Sequence, residues 1–314
     1  MKYAFIINPN SGFGKKSKPF IANIEKLMAE RADISIHITE GIMDATIVAS
    51  GLADIAENTK EDIRVFACGG DGTLNEVLNG LYGRTNVELG VIPIGSGNDF
   101  VRNYPSHDFL DIESQLNGIA TTVDLLKLSY EDEGNKKNRY CINGINIGFD
   151  GNAAILHNHL KQKKLFRGSL SYFTAVFMNL AEMRGQNLKI IADDKVLHAG
   201  EILLTTVSNG RFCGGGVESC PNALVDDGLA EILIINKVTR RTFLRLMPYY
   251  IKGKLLSEVE AGNIWKYFQS DKISIEPASE LMQFVVDGEE VKSGKVIIEV
   301  IKKGMKLSLP ALEN

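Results

Sequence analysis

Three short segments combine glycine with small polar residues in a manner suited to a phosphate. A phosphate tolerates close backbone approach only where side chains are absent, and it is stabilised by outward-pointing amides at the start of a helix. Gly69, Gly70 and Gly72 of Gly69-Gly-Asp-Gly-Thr-Leu-Asn-Glu meet both demands. Thr73 is placed to cap the following helix and to offer a hydroxyl to a phosphate oxygen, with Asn75 and Glu76 expected in the first turn. Asp71 is the odd member, because a carboxylate beside phosphates repels them unless magnesium or a transferable proton lies between. A second segment, Asn8-Pro-Asn-Ser-Gly-Phe-Gly-Lys, adds Ser11, Gly12 and Gly14 as anion ligands and Lys15 as a mobile positive charge. The third, Pro93-Ile-Gly-Ser-Gly-Asn-Asp-Phe, repeats the chemistry with Ser96, Asn98 and Asp99. None of the three has the spacing of a Walker loop or a dinucleotide fingerprint.

Each segment follows a short apolar run: Tyr3 to Ile7, Ile63 to Ala67 and Val87 to Ile92. Helical patterns alternate with these runs, with Phe20, Ile21, Ile24, Leu27 and Met28 on one face after Ser17, and Ala45, Val48, Leu52 and Ile55 on another. Leu74, Val77, Leu78 and Leu81 mark a third helix. This alternation predicts a parallel sheet covered on both faces, whose C-terminal strand ends share one edge and turn the three loops toward a common crevice. After about Thr122 the pattern changes to glycine-punctuated strands, at Ile142 to Phe149, Glu201 to Val207, Leu229 to Ile235, Phe284 to Val286 and Val296 to Ile301. That half reads as an antiparallel sandwich interrupted by two helical patches, Ala153 to Lys164 and Leu170 to Met183. The domains are expected at 1–125, completed by 302–314 if the last strand returns to the first domain, and at 126–301.

Composition narrows the function classes. The 314 residues carry 35 Lys+Arg against 39 Asp+Glu, a net charge of −4 that disfavours nucleic acid as a partner. Cys68, Cys141, Cys213 and Cys220 lie too far apart for a zinc site and are expected as free thiols. The opening MKYAFIINPN is too short for a signal h-region, and the most apolar stretch, Leu170 to Ala181, falls short of a membrane span. Lys161, Lys163, Lys164 and Arg167 lead into Leu170, Tyr172, Phe173, Val176, Phe177 and Met178, the composition of an interfacial element; Lys15, Lys16 and Lys18 add to its basic character. His157 and His159 lack a carboxylate or thiol at ligand spacing, and Trp265 is read as a packing residue.

In their order and spacing, the three loops resemble the diacylglycerol kinase catalytic family, especially its soluble bacterial lipid kinases. Val123-Asp-Leu, Pro221-Asn-Ala-Leu-Val-Asp-Asp-Gly-Leu and Val286-Asp-Gly-Glu extend the resemblance over nearly the whole chain. One departure is Ser96-Gly97, where the family usually has Thr followed by Ala; serine keeps the hydroxyl. The resemblance implies an NAD-kinase-like, three-layer α/β domain followed by a β-rich sandwich. It implies that Asn8, Ser11, Thr39, Gly70, Asp71, Gly72, Thr73, Leu74, Asn75, Glu76 and Ser96 contact ATP, and that Asp71, Asp99 and Asp124 organise magnesium and water. Glu289 would accept the proton with Asp287 supporting it, although Asp-Gly between two strands is on its own a hairpin signal. Leu224, Asp227 and Leu229 would hold a structural magnesium, where residue types alone read an acidic turn. The implied activity is transfer of the γ-phosphoryl of ATP to a lipid hydroxyl, with diacylglycerol preferred over sphingoid bases or phosphatidylglycerol. NAD kinase and a catalytically silent nucleotide or lipid sensor are the rival readings. The expected setting is the cytoplasm, in peripheral contact with the anionic inner face of the membrane, and a homodimer is left open.

Overall fold

Every residue of the run Ile63–Gly69 is buried, as befits a strand covered on both faces. The computed structural model describes residues 1–132, 134–149, 185–257 and 264–312, excluding the side chain of Phe13. The helical patches at 153–164 and 170–183, the basic stretch 161–167 and both histidines at 157 and 159 lie outside the described residues. The chain divides into two units, residues 1–124 with 302–314, and residues 125–301.

In the first unit β1 (Lys2–Ile7), β2 (Ile34–Ile38), β3 (Ile63–Gly69) and β4 (Val87–Pro93) pair in parallel in the order β4-β3-β1-β2. Side chains alternate across a strand. Phe5, Ile7, Phe66 and Cys68 therefore enter one core with Ile24 of α1 (Ser17–Glu30), while Ala4, Ile6, Val65 and Ala67 are buried on the other face. That second face is covered by α2 (Asp44–Thr59) and α3 (Asp71–Leu81), which makes three layers. The buried side of α2 differs from the expected one. Ala45, Ala49, Leu52, Ala53 and Ala56 are buried, Val48 is half-buried and Ile55 is 53% exposed. The cause is close helix packing: a Cβ on Gly80 of α3 would lie 2.5 Å from the Thr46 carbonyl oxygen and 2.7 Å from the Ala49 Cβ, so only small residues fit there. A short helix, α4 (Ile112–Leu116), precedes β5 (Ile119–Asp132).

The sequence pattern stops the last strand near Ile301, yet β15 (Val296–Leu309) runs on, and its Leu307 pairs in parallel with Leu89 of β4. Both β5 and β15 contain a boundary between the units.

The second unit contains antiparallel strands: β6 (Asn135–Cys141), β7 (Gly144–Gly148), β8 (Gln186–Ala192), β9 (Lys195–Ser208), β10 (Ala230–Asn236), β11 (Trp265–Ser270), β12 (Lys272–Pro277), β13 (Met282–Val286) and β14 (Glu289–Ser293). β9 pairs with β7, β8 and β10, and β13 joins β7 to β14. Their inward-facing residues form one large core, including Ile145, Ile190, Val207, Ile232, Ile275 and Phe284. A separate core lies beneath α5 (Arg240–Ile251), where Phe243, Leu246 and Tyr250 pack with Leu203, Leu204, Leu233 and Phe149; Trp265 packs against the same core. All four cysteines are free and buried.

Candidate active site

The parallel register brings four strand ends to one edge. Ile7 pairs with Cys68 and Ile38, and Gly69 pairs with Pro93. The loops after β1, β3 and β4 then lock together. Asn8 ends β1 with its N–H on the Cys68 carbonyl at 3.0 Å, and its Nδ2 donates to Thr73 Oγ1 at 3.3 Å. Its Oδ1 accepts from the Asn10 N–H at 3.0 Å, an Asx turn that folds the first loop back on itself. A Cβ on Gly12 would lie 2.7 Å from the Ile94 carbonyl oxygen, so the first loop also abuts the third. Between the second and third loops the Gly95 N–H donates to the Gly69 carbonyl at 2.9 Å, and a Cβ on Gly95 would meet Gly70 Cα at 2.3 Å. The absence of a side chain at Gly95 is what permits this approach.

Helix α3 begins at this junction. Its N-cap is Gly70, in extended backbone, with no side-chain cap bond, so Thr73 lies inside the helix and not at the cap as its type suggests. The first intrahelical bond runs from the Leu74 N–H to the Gly70 carbonyl at 3.0 Å, and Asn75 and Glu76 follow one turn later than the sequence reading has them. A small hollow at this helix start is lined by Gly69, Gly70, Asp71, Pro93 and Asn98 together with apolar Leu74, Val91, Phe100 and Val101; the N-terminal end of the helix dipole favours an anion.

Asp71 organises the third loop. Its Oδ2 accepts the Asn98 N–H at 2.9 Å and its Oδ1 the Asp99 N–H at 2.8 Å. The Asn98 side chain closes the loop by donating to the Pro93 and Gly95 carbonyls at 3.1 and 2.9 Å, while its buried Oδ1 has no hydrogen-bond donor among the described residues. Asp99 is buried, with Arg102 Nε 3.6 Å from its Oδ1. A Cβ on Gly97 would sit 2.6 Å from Asp71 Oδ2 and 3.7 Å from Asp99 Oδ2. The missing side chain thus lets the third loop lie directly against the Asp71 carboxylate. Ser96 is exposed on the same loop, and Ser11 is buried in the first loop with Lys15 exposed after it. Thr39 follows β2, its N–H on the Ile7 carbonyl at 3.0 Å. Asp124 is buried in β5, and its Oδ1 accepts the Lys303 N–H at 2.6 Å, which anchors β15.

In the second unit, Asp287 and Gly288 form a two-residue hairpin between β13 and β14, with φ of 46° and 89°. Positive φ at both positions is the requirement of a type I′ turn, which Asp-Gly satisfies. The same Asp287 carboxylate is buried and receives the N–H groups of Ile142, Asn143 and Gly144 at 2.9, 3.1 and 3.0 Å, together with the Cys141 thiol at 3.0 Å. Burial and the neighbouring carboxylate push the Cys141 thiol up, so it remains a protonated donor. Turning these amides toward Asp287 breaks the single strand expected over 142–149. Glu289 stands immediately after the turn, partly exposed and paired with Val286.

Sequence reasoning did not single out the residues that support this turn. Asn143 donates to the Phe212 carbonyl at 2.8 Å, Ser208 Oγ to the Asn143 carbonyl at 3.2 Å, and Asn209 Nδ2 to the Ile142 carbonyl at 2.9 Å. The Asn-Gly pairs at 143–144 and 209–210 carried a turn signal that marks them in retrospect. Elsewhere in the unit, Asp227 Oδ1 accepts the Leu229 N–H at 3.0 Å, and Leu224 is 59% exposed. Among the described residues no three His, Cys, Asp or Glu side chains cluster as a metal site. Asp71 and Asp99 on neighbouring loops are hard oxygen donors of the type magnesium takes, commonly one or two carboxylates with water and substrate phosphates completing its shell.

The model of the diacylglycerol kinase catalytic domain matches residues 2–128, and that of the YegS C-terminal NAD kinase beta sandwich-like domain matches residues 143–308. The chain is 31% identical to a diacylglycerol kinase of Bacillus subtilis over 295 residues, covering 92% of this chain and 90% of that protein. A crystal structure of a diacylglycerol kinase from Bacillus anthracis superposes with a TM-score of 0.67 at 23% identity, covering 100% and 97% of the two chains. Yeast NADH kinase in complex with NADH shares the fold at a TM-score of 0.53 and 10% identity, covering 99% of this chain and 83% of that one. The interlocked glycine loops, the Asp-Gly turn and these likenesses together establish that the chain belongs to the diacylglycerol kinase catalytic-domain family, with an NAD kinase beta sandwich-like domain following.

Proposed function

We propose that this protein is an ATP-dependent lipid kinase that transfers the γ-phosphoryl group of ATP to the primary hydroxyl of diacylglycerol, giving phosphatidic acid. The observation that carries the reading is the junction of three glycine loops at the N-terminus of α3, in a chain of this family. Phosphoryl transfer needs positioning and charge neutralisation more than covalent chemistry. Helix-terminal amides and the Asn8–Thr73 pair hold phosphate oxygens, and Lys15 supplies a mobile charge. Asp71 and Asp99 would hold magnesium, which supplies neutralisation of the charge on the transferring phosphoryl when bound. Asp71 has a second duty, since its oxygens keep the Asn98 and Asp99 amides in place. Glu289 takes the proton of the acceptor hydroxyl, and Asp287 fixes the turn that presents it. Asp227 with the carbonyls of Leu224 and Leu229 would hold a structural magnesium through one carboxylate. The acceptor is reached at a membrane surface; among the described residues no helix is long and apolar enough to cross one.

Labelled ATP incubated in parallel with diacylglycerol, sphingosine, phosphatidylglycerol and NAD tests the reading. Label is expected in phosphatidic acid, and label in phosphorylated NAD alone would replace the lipid reading with an NAD kinase. Glu289→Gln and Asp71→Ala are each expected to lower turnover by about a hundredfold or more, the scale of a lost general base or a disassembled phosphate site. A folded Glu289→Gln protein with near-normal turnover would remove Glu289 from its role.

A further inference from the structure

The chain is acidic as a whole, yet from Lys237 to Ser257 it contains six Lys or Arg residues and no Asp or Glu. Helix α5 occupies the middle of this segment and has two contrasting faces. Phe243, Leu246 and Tyr250 point into the core against β9 and β10. On the opposite side, Arg241, Leu244, Arg245, Pro248, Tyr249 and Lys252 recur at the three- and four-residue steps that make one stripe of a helix, and all are exposed. Leu244 is 45% exposed and Tyr249 41%. This mixture matches an anionic bilayer: the cations meet phosphates, tyrosine sits at headgroup depth and leucine enters the acyl boundary.

We propose that the outer face of α5 is a docking surface for an anionic lipid bilayer. The proposal rests on the lipid-acceptor reading and names the element that meets the membrane. Its placement within the second unit supports it. The Glu218 N–H donates to the Ile251 carbonyl at 3.1 Å, tying the end of α5 to the loop that follows Ser208 and Asn209. Through Phe212, Asn143 and the Ile142 amide that loop holds the Asp287 turn. The end of α5 and the Asp287 turn thus hold the same loop.

Cosedimentation of the full chain with vesicles of phosphatidylcholine, alone or mixed with phosphatidylglycerol, provides the test. Binding is expected only to the mixed vesicles and is expected to fall as salt rises. Arg241→Glu/Lys252→Glu is expected to weaken that binding by at least about tenfold, since each cation near an anionic surface contributes measurably. Leu244→Ser/Tyr249→Ser, which leaves charge unchanged, is expected to weaken it as well. Turnover of dispersed short-chain diacylglycerol is expected to stay unchanged in both variants, which shows that they fold. Wild-type vesicle affinity in both variants, or equal binding of the parent chain to neutral and anionic vesicles, overturns the proposal. Vesicle binding through α5 without phosphorylation of dispersed diacylglycerol would sink the acceptor reading while leaving the docking surface in place.

Discussion

Glu231 illustrates what burial does to a single carboxyl. It lies 2% exposed in β10, with Gln269 Nε2 donating to its Oε1 at 2.8 Å, and burial raises its pKa above the ordinary 4.5. The folded state therefore holds the proton more tightly than the unfolded chain. The resulting stabilisation is complete below the ordinary carboxylate range and is lost as pH rises through the raised value. Glu231→Gln keeps a carbonyl for Gln269 and cannot ionise. Its melting temperature is expected to exceed that of the parent at pH 7.5, with the gap closing as pH falls toward 4.5; thermal melts at several pH values check this, and a constant gap would contradict it. Asp287 shows a different use of burial, because three backbone amides and a thiol satisfy its carboxylate. Residue type alone marked Asp287-Gly288 as a turn, and the structure bears the turn out. The amides that converge on Asp287 come from residues more than 140 positions earlier in the chain, a distance that no local pattern encodes.

At the scale of elements, loops and helices depend on where backbones can touch. The second and third loops meet at Gly95 and Gly70, where a Cβ would lie 2.3 Å from a Cα. Gly95→Ala must therefore push the two loops apart. A destabilisation of about 1–3 kcal/mol is expected, together with a rise in the KM for ATP under the proposed function, because the overpacked contact joins two of the loops assigned to the nucleotide. Denaturant melts and initial rates measure the two effects; an unchanged KM with lowered stability would separate the contact from nucleotide binding. Close approach also accounts for the α2 surprise. Hydrophobic periodicity pointed to Val48 and Ile55, but the neighbouring α3 comes so near at Gly80 that the buried stripe is made of alanines. Alanine carries little hydrophobic signal, so the partner helix and not the pattern decides which face turns inward. Helix α5 went unread for a related reason: its apolar residues are interspersed with arginines, and its inner face became evident only once Phe243, Leu246 and Tyr250 had a sheet to cover.

For the whole molecule, the consequential feature is a first unit assembled from both ends of the chain. Residues 302–314 belong with residues 1–124, and buried Met305 and Leu307 lie on the returning strand beside β4. A chain ending at Ile301 would leave that flank of β4 open and Asp124 without the Lys303 amide. Such a truncation is expected to abolish ATP-analogue binding and to make residues 1–124 sensitive to limited proteolysis, whereas truncation after Ala311, which keeps the Pro310 and Ala311 hydrogen bonds, is expected to be tolerated. Protease resistance of the Ile301-terminated chain equal to that of the parent would contradict this. The amino-acid sequence by itself determined the alternation of strand and helix, the placement of a glycine loop after each of three strands, the strand-rich second half and the Asp-Gly turn. Each of these is written in neighbouring residues, through apolar period, glycine placement and turn chemistry. Only the tertiary structure decided that Asn8 meets Thr73, that Asp71 holds the Asn98 and Asp99 amides, that Asp287 gathers the amides of 142–144 and that β15 returns to β4. Those contacts join segments far apart in the chain, and they are selected by which backbone groups need partners once the cores have closed, a condition no local stretch of residues contains.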